Sequence, residues 1–380
     1  MASGTLSDAD RILRSADSGH EPPAPTASRT APAADGDAGA TRDPDSPNGK
    51  RGVALRWGIG VIALIVIAVI GFGTWWSFQP NKFDVTANMQ ARIGEQGRAA
   101  PGTATVSAAI QVAETLLSKP GGYLMNDMTP PGAVMDNMPS WEYGALTELR
   151  DSVRAFRNDF SRSQTQSIEN EDLKKADSEF NFDAEAWFLP SAEEEYRQGI
   201  EALGRYLAGL ASGSQRARFY ARADNLSAYL AVVEKRLGSY GQRLSASVGN
   251  AELLAGLGAG SGEPEAQPAG PTGGEAAAAR TAWNAIDDIF FEARGYSWAL
   301  LHMMKALAID FAPVLRDKNA EVSMQQIIRD LEYATLRKWS PLVLNGDGFG
   351  VLANHSLVLA SYMSRANAAV LDLRVLLQRG

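Results

Sequence analysis

The chain has 380 residues, 45% of them hydrophobic, and its 44 acidic residues outnumber its 36 basic ones. This length can bury a substantial core, and the net charge of −8 argues against nucleic acid as a main partner, because phosphate binding needs a basic surface. The absence of cysteine excludes disulfides, thiol nucleophiles and cysteine metal sites.

The first predicted segment is an unstructured tail over residues 1–52. Residues 1–50 are rich in Ala, Pro, Ser, Asp and Gly and contain no Phe, Trp or Tyr. Such a segment cannot bury enough apolar surface to offset the loss of chain entropy on folding. We expect it to stay unfolded in the cytoplasm, either as a docking arm or as a solvated leader without a partner.

The next predicted element is a transmembrane helix over residues 55–78. An uncharged run from Trp57 to Trp76 is dense in Ile, Val, Leu and Ala. At about 1.5 Å per residue, this run as a helix matches the ~30 Å hydrocarbon core of a bilayer. A cleavable secretory signal is the alternative, but its basic leader would be short, whereas here a long tail precedes the run. The run therefore predicts an uncleaved anchor with the lipid bilayer as a partner.

The charges on either side of the run predict its orientation. Lys50, Arg51 and Arg56 precede it, and only Lys82 follows closely. Since positive charge near a span resists translocation, we expect the N-terminus in the cytoplasm and the C-terminal domain on the other side. Tryptophans favour membrane interfaces. The residues predicted to lie at the two interfaces are Arg51, Arg56, Trp57, Trp75 and Trp76.

The region beyond the span is predicted to be all-α. Apolar residues recur at spacings of three and four, as in residues 146–160, and strand-like alternation is nearly absent. Stripes of this kind occupy residues 83–252 and 278–380, and a Gly/Pro-rich linker over residues 253–277 separates them. One composite helical bundle is expected, although two subdomains would also fit. A small β-hairpin is predicted near residues 342–352, where Asn-Gly lies between apolar triplets.

Several short motifs give this chain a resemblance to a known family. They are Phe-Gln-Pro at residues 78–80, Gly-Gly-Tyr-Leu at 121–124, Pro-Pro-Gly at 130–132, Trp-Glu-Tyr-Gly at 141–144 and Leu-Pro-Ser at 189–191. With the anchor, this block resembles a family of uncharacterised single-span proteobacterial inner-membrane proteins, a domain of unknown function. The resemblance covers most of residues 55–380. It implies a periplasmic C-terminal domain in a Gram-negative envelope, and it supplies no activity, cofactor or catalytic residue.

A methionine-rich stretch surrounds the Pro-Pro-Gly motif. Methionine packs adaptably in cores and can also form an apolar recognition surface. Ordinary loop packing is the plainer interpretation, and binding of a lipid or small molecule is the alternative. Thioethers also suit Cu(I), but Pro-Pro-Gly interrupts the helical face that such a site would need. The candidate binding residues are Met125, Met128, Met135, Met138, Trp141, Tyr143, Trp187 and Phe188.

An acidic stretch follows in residues 169–195, where ten acidic residues are offset by only two lysines. Paired carboxylates can hydrolyse a glycosidic bond, and the cell wall would be within reach of a periplasmic domain. Glu193, Glu194 and Glu195 are therefore the catalytic candidates. The favoured alternative is an exposed helix start, with Ser191 as the N-cap and the glutamates in the first turn.

No catalytic or cofactor motif accompanies these residues. The chain has three histidines and none of the zinc-protease, phosphate-loop, dinucleotide or serine-hydrolase patterns, so neither a metal site nor a cofactor is expected. The leading hypothesis is a non-enzymatic inner-membrane protein whose helical periplasmic domain organises the envelope through contacts with a protein partner. The alternatives are a cell-wall glycan hydrolase and a lipid or small-molecule binding domain. The sequence leaves the oligomeric state open.

Overall fold

The computed structural model describes residues 47–94, 99–163, 169–248, 286–338, 342–346 and 353–379. Within these ranges the chain forms helices and no extended strand, which confirms the predicted all-α class. The predicted tail lies outside the described residues except for its last few positions. The predicted linker over residues 253–277 lies outside them entirely.

The first helix, α1, spans Pro47–Trp76 and contains the apolar segment Ala54–Trp76, which is long enough to cross a membrane. None of that segment is buried within the protein. One such helix near the N-terminus is compatible with a single-pass membrane protein. Trp57, Trp75 and Arg56 are exposed on α1, whereas the side chain of Arg51 lies outside the described residues. The chain divides after Ile59 into two units, and the second contains the end of α1 and the later helices.

The later helices have between 6 and 26 residues. They are α2 (Val85–Ile93), α3 (Thr103–Ser118), α4 (Asn137–Ala155), α5 (Glu171–Phe180), α6 (Ala192–Ala211), α7 (Ala223–Val248), α8 (Ile286–Asp310), α9 (Ala312–Asp317), α10 (Glu321–Ala334) and α11 (His355–Gln378). A 3₁₀ turn covers Gly132–Val134, and a π-helical turn over Phe156–Phe160 follows α4.

The bundle is organised around α8. This helix packs most extensively against α4 and also against α3 and α10, while α7 pairs with α11 and α5 with α6. Helices from both sides of the predicted linker therefore share one core. Part of that core is an aromatic cluster: the ring centroid of Phe160 lies 5.0 Å from that of Phe219 and 5.4 Å from that of Phe311.

Two glycines allow α4 and α8 to cross closely. A Cβ atom at Gly144 of α4 would lie 1.9 Å from the Glu292 carbonyl oxygen, and one at Gly295 of α8 would lie 1.8 Å from the Trp141 carbonyl oxygen. Neither position has room for a side chain. The helices approach until backbone meets backbone, which fixes the first turns of α4 against the first turns of α8.

Side chains at the helix starts explain where several helices begin. Asp84 accepts a hydrogen bond from the Ala87 amide at α2, Asn170 accepts one from Leu173 at α5, and Asn354 accepts one from Leu357 at α11. These oxygens bond amides of the first turn, which have no partner within the helix.

The segment of the predicted hairpin forms a single antiparallel bridge. Asn345 pairs with Asn354, the Gly346 amide donates to the Ala353 carbonyl, and the His355 amide donates to the Leu344 carbonyl. The chain thus reverses direction here, with one bridge in place of two strands among the described residues. The predicted turn falls mainly in residues 347–352, which lie outside them.

Candidate functional site

The C-terminal end of α1 packs against residues 119–136, which we call loop A. A Cβ atom at Gly73 would lie 3.4 Å from Pro131 Cβ, and one at Gly121 would lie 2.7 Å from the Trp76 ring. Gly121 also has a φ of +88°, a backbone conformation that favours glycine. The Gly-Gly and Pro-Pro-Gly motifs of the sequence therefore lie directly against the last two turns of α1.

A buried ion pair holds loop A in place. Lys119 Nζ lies 2.5 Å from Glu142 Oε1, and both side chains are almost completely buried. The Glu142 carboxylate also accepts hydrogen bonds from the Leu124 and Met125 amides, at 3.0 and 2.9 Å. Burial raises the pKa of Glu142 to about 7, while Lys119 and the two amides oppose the rise. The glutamate of the Trp-Glu-Tyr-Gly motif thus fixes the backbone of the Gly-Gly-Tyr-Leu motif.

A second loop, residues 181–191 or loop B, lies beside loop A. Asn126 of loop A is buried, and its Nδ2 donates to the Ala186 carbonyl at 2.8 Å and to Glu193 Oε2 at 2.7 Å. One amide group therefore joins loop A to loop B and to the first turn of α6. Loop A thus contacts both the end of α1 and loop B.

Both loops expose apolar side chains. Trp187, Phe188 and Leu189 at the tip of loop B are 58%, 67% and 81% exposed, and the Trp187 and Phe188 ring centroids are 5.4 Å apart. Met128 and Val134 of loop A are similarly exposed. We call these five side chains the apolar tips. Exposed large apolar side chains that form a contiguous patch commonly mark a contact with lipid or protein.

The chain leaving α1 is attached to the bundle by a buried arginine. Arg294 of α8 donates to Gln79 Oε1 at 3.1 and 2.9 Å and to the carbonyl oxygens of Ala334 and Leu336. Burial lowers the pKa of Arg294 to about 10, so the guanidinium remains charged at neutral pH. The Phe-Gln-Pro motif is thereby linked to the C-terminal end of α10.

His302 is used within the fold. Its Nε2 accepts a hydrogen bond from the Phe83 amide at 3.1 Å, and its Nδ1 lies 2.7 Å from the Trp298 carbonyl oxygen, so Nδ1 carries the proton. Burial lowers the pKa of His302 to about 4, which keeps the ring neutral. Among the described residues, no group of three or more metal-ligating side chains could hold a metal ion.

A second buried carboxylate lies in the core between α4 and α7. Glu148 accepts hydrogen bonds from the Tyr229 hydroxyl and, at 2.8 Å, from the Ser152 hydroxyl. Burial raises the pKa of Glu148 to about 8, although the hydrogen bond from Tyr229 opposes the rise. Sequence reasoning missed Lys119, Glu142 and Glu148, because nothing in their local sequence distinguishes them from exposed charges.

The three predicted catalytic glutamates have separate partners. Glu193 accepts from Asn126, the exposed Glu194 lies 3.4 Å from Arg197 Nη1, and Glu195 accepts from Gln198 at 3.5 Å. Consecutive side chains on a helix project about 100° apart. The structure therefore directs these three carboxylates to different surroundings and does not bring them together.

The start of α6 has the features of an N-capped helix, which was the non-catalytic interpretation of these glutamates. The Ser191 hydroxyl accepts a hydrogen bond from the Glu194 amide at 3.4 Å, as in an N-cap. Glu179 of α5 approaches Glu195, and burial together with a hydrogen bond to Glu195 raises the pKa of Glu179 to about 7. These contacts join α5 to α6.

The predicted binding residues divide between the core and the surface. Met138 and Trp141 are buried in the core, and Met125 and Met135 pack against it. The more exposed members of the set are Met128, Tyr143, Trp187 and Phe188. Two open grooves of 1090 and 720 Å³ lie elsewhere, one between α7, α9 and α11 and the other between α2, α3 and α6.

Comparison with known protein families gives a match over most of the chain. A family profile described as "Uncharacterized protein conserved in bacteria (DUF2333)" matches residues 49–380. The matched range contains nearly all of α1 and every later helix, and it confirms the resemblance to a domain of unknown function. No curated protein matches the chain, and no solved structure does.

Proposed function

The chain belongs to this family of uncharacterised bacterial proteins, and we propose that it anchors a helical protein-contact domain in the bacterial inner membrane. In this proposal the N-terminal tail is cytoplasmic and the bundle is periplasmic. The bundle organises the envelope by binding another protein and does not catalyse a reaction.

The observation that carries the proposal is the segment Ala54–Trp76. It has 23 residues, none of them buried, and at about 1.5 Å per residue it is about 34 Å long, enough to span the hydrocarbon core. The bundle begins immediately after it. Arg56 at one end and the two tryptophans at the other support the proposed orientation.

The polar groups of the bundle support a contact role over a catalytic one. Glu142 and His302 are engaged in the packing of loop A and of the chain leaving α1. The three glutamates at the start of α6 point apart, and Glu195 meets Glu179 in a direct hydrogen bond, closer than the separation of about 5 Å or more between carboxyl groups that glycoside hydrolysis requires. A glycan hydrolase therefore has less support than a protein-binding module.

The proposal is tested by photocrosslinking the full-length chain in intact cells and by assaying the purified chain on peptidoglycan. The expected result is covalent capture of an envelope protein by probes on the bundle, and no release of cell-wall fragments. A chain with the same probe in the N-terminal tail is the control for capture of cytoplasmic proteins.

The opposite result would favour the hydrolase. It consists of peptidoglycan cleavage without specific capture, with the cleavage lost in the Glu193→Ala, Glu194→Ala and Glu195→Ala variants. Unchanged thermal unfolding of these variants would show that the loss is catalytic and not structural.

A further inference from the structure

We propose that loops A and B insert their apolar tips into the interface of the same bilayer that α1 spans. The helical domain would then contact the lipid directly beside α1, and would not be connected to the membrane by α1 alone. This inference rests on the proposed transmembrane role of α1 and goes beyond it, because a span by itself does not require the following domain to touch lipid.

The depth of loop A follows from its contact with α1. Gly73 precedes Trp76 by three residues, so it lies about 4.5 Å further into the membrane along the helix axis. Pro131 packs against Gly73, and Trp76 packs against Gly121. A loop that contacts a residue inside the span has to lie at the depth of that residue. Since each headgroup layer is roughly 5–8 Å thick, loop A reaches the boundary between headgroups and acyl chains.

Loop B is held at the side of loop A. Asn126 donates a hydrogen bond to the carbonyl of Ala186, the residue immediately before Trp187. Trp187, Phe188 and Leu189 then protrude from the surface. Tryptophan is enriched at membrane interfaces, and exposed Phe and Leu side chains gain free energy by leaving water. The chemistry of loop B therefore suits the same lipid layer that loop A reaches.

The charges of the two loops identify the kind of lipid contact. Loops A and B contain acidic side chains, and their one basic residue, Lys119, is buried and paired with Glu142. Attraction to anionic headgroups needs exposed basic side chains, so it cannot drive the insertion of these two loops. Insertion must be apolar, and it should occur equally well in a bilayer of neutral lipid.

The experiment uses the full-length chain in vesicles of neutral phosphatidylcholine. Because the chain has no cysteine, a fluorophore can be placed at single introduced cysteines without other changes. The test variants are Met128→Cys in loop A and Phe188→Cys in loop B, both at exposed positions where a label disturbs packing little. Each label is exposed in turn to a lipid carrying a quencher near its headgroup and to acrylamide, a neutral quencher in water.

Two control positions give the quenching expected for a label inside the bilayer and for a label in water. Ile65→Cys reports the middle of the apolar segment Ala54–Trp76. Val322→Cys is 75% exposed at the start of α10, about 18 Å along that helix from Ala334, which lies close to the chain leaving α1. Val322 is thus an exposed apolar position at the opposite end of α10 from Ala334.

The expected result is that labels at Met128 and Phe188 are quenched by the lipid quencher and are at least about threefold less sensitive to acrylamide than the label at Val322. If both loop labels behave like Val322 while Ile65 is protected, the inference is wrong and the anchor stands. If Ile65 is also open to acrylamide, the proposed span itself fails.

Discussion

Replacing Gly144 by alanine should force α4 away from α8 and destabilise the bundle. The added Cβ atom would lie 1.9 Å from the Glu292 carbonyl oxygen and 2.8 Å from the Tyr296 amide nitrogen, whereas unstrained heavy atoms stay about 3.5 Å apart. Both obstacles are backbone atoms, which cannot rotate aside. The helices would have to separate along a crossing that Gly295 also keeps close.

Two opposing effects determine how much Gly144→Ala changes the free energy of unfolding. Forcing an extra methyl group into a packed interface costs about 1–3 kcal/mol, and a clash with rigid backbone belongs at the upper end of that range. Alanine also favours a helix over glycine by about 1 kcal/mol. We therefore expect Gly144→Ala to lower the free energy of unfolding by about 2 kcal/mol.

A matched control separates these two effects. Gly204 lies within α6, and a Cβ atom there would meet nothing within 4 Å. Gly204→Ala should raise the free energy of unfolding by up to about 1 kcal/mol through helix propensity alone. The assay is guanidinium unfolding of the detergent-solubilised full chain, followed by helical circular dichroism. Equal stability of the two alanine variants would refute the close crossing.

Two further predictions concern the buried carboxylates. Lys119→Met should lower the free energy of unfolding by about 3 kcal/mol at pH 8, because it leaves the Glu142 carboxylate buried without its counter-ion. The loss should be smaller at pH 5, where Glu142 is protonated. Denaturant unfolding at both pH values measures the two losses, and a loss independent of pH would contradict the prediction. Glu148 keeps a proton in the folded chain up to about pH 8, whereas the unfolded chain loses it near pH 4.5, so stability should fall by a few kcal/mol between these values. Glu148→Gln should remove that part of the fall, and an unchanged slope of stability against pH would show that the buried carboxyl is not its source.

The helices, including the long apolar one, could be predicted because their signals are local. The apolar spacing of Leu146, Leu149 and Val153 places all three side chains in the core, and Ser191 bonds the first turn of α6 as its sequence context indicates. The apolar run from Trp57 likewise produces one long helix. Each of these features depends on residues within a turn or two of one another.

The candidate site depended on contacts that the sequence does not show. Lys119 and Glu142 lie on different elements, and Arg294 meets Gln79 across more than two hundred residues. The short motifs that give the family resemblance are distant in sequence, yet most of them contact the end of α1 or the loops beside it. Only the folded chain shows what they share.

The acidic and methionine-rich patterns were less informative than their composition suggested. Three glutamates in a row are close in sequence but diverge on a helix, so Glu193 and Glu194 have unrelated partners. Three of the methionines lie in the irregular loop A and Met138 lies in the first turn of α4, so no single periodicity distinguishes the buried Met138 from the exposed Met128.

Determining the compartment in which the bundle lies is the most direct test of the proposed membrane anchor and its orientation. A membrane-impermeant maleimide should label Val322→Cys in cells whose outer membrane alone is permeabilised, and it should label a cysteine at Ser15 in the tail only after the inner membrane is broken. The reverse pattern of labelling, or a mature chain that lacks its first eighty residues by mass spectrometry, would contradict the proposed anchor and every role assigned from it.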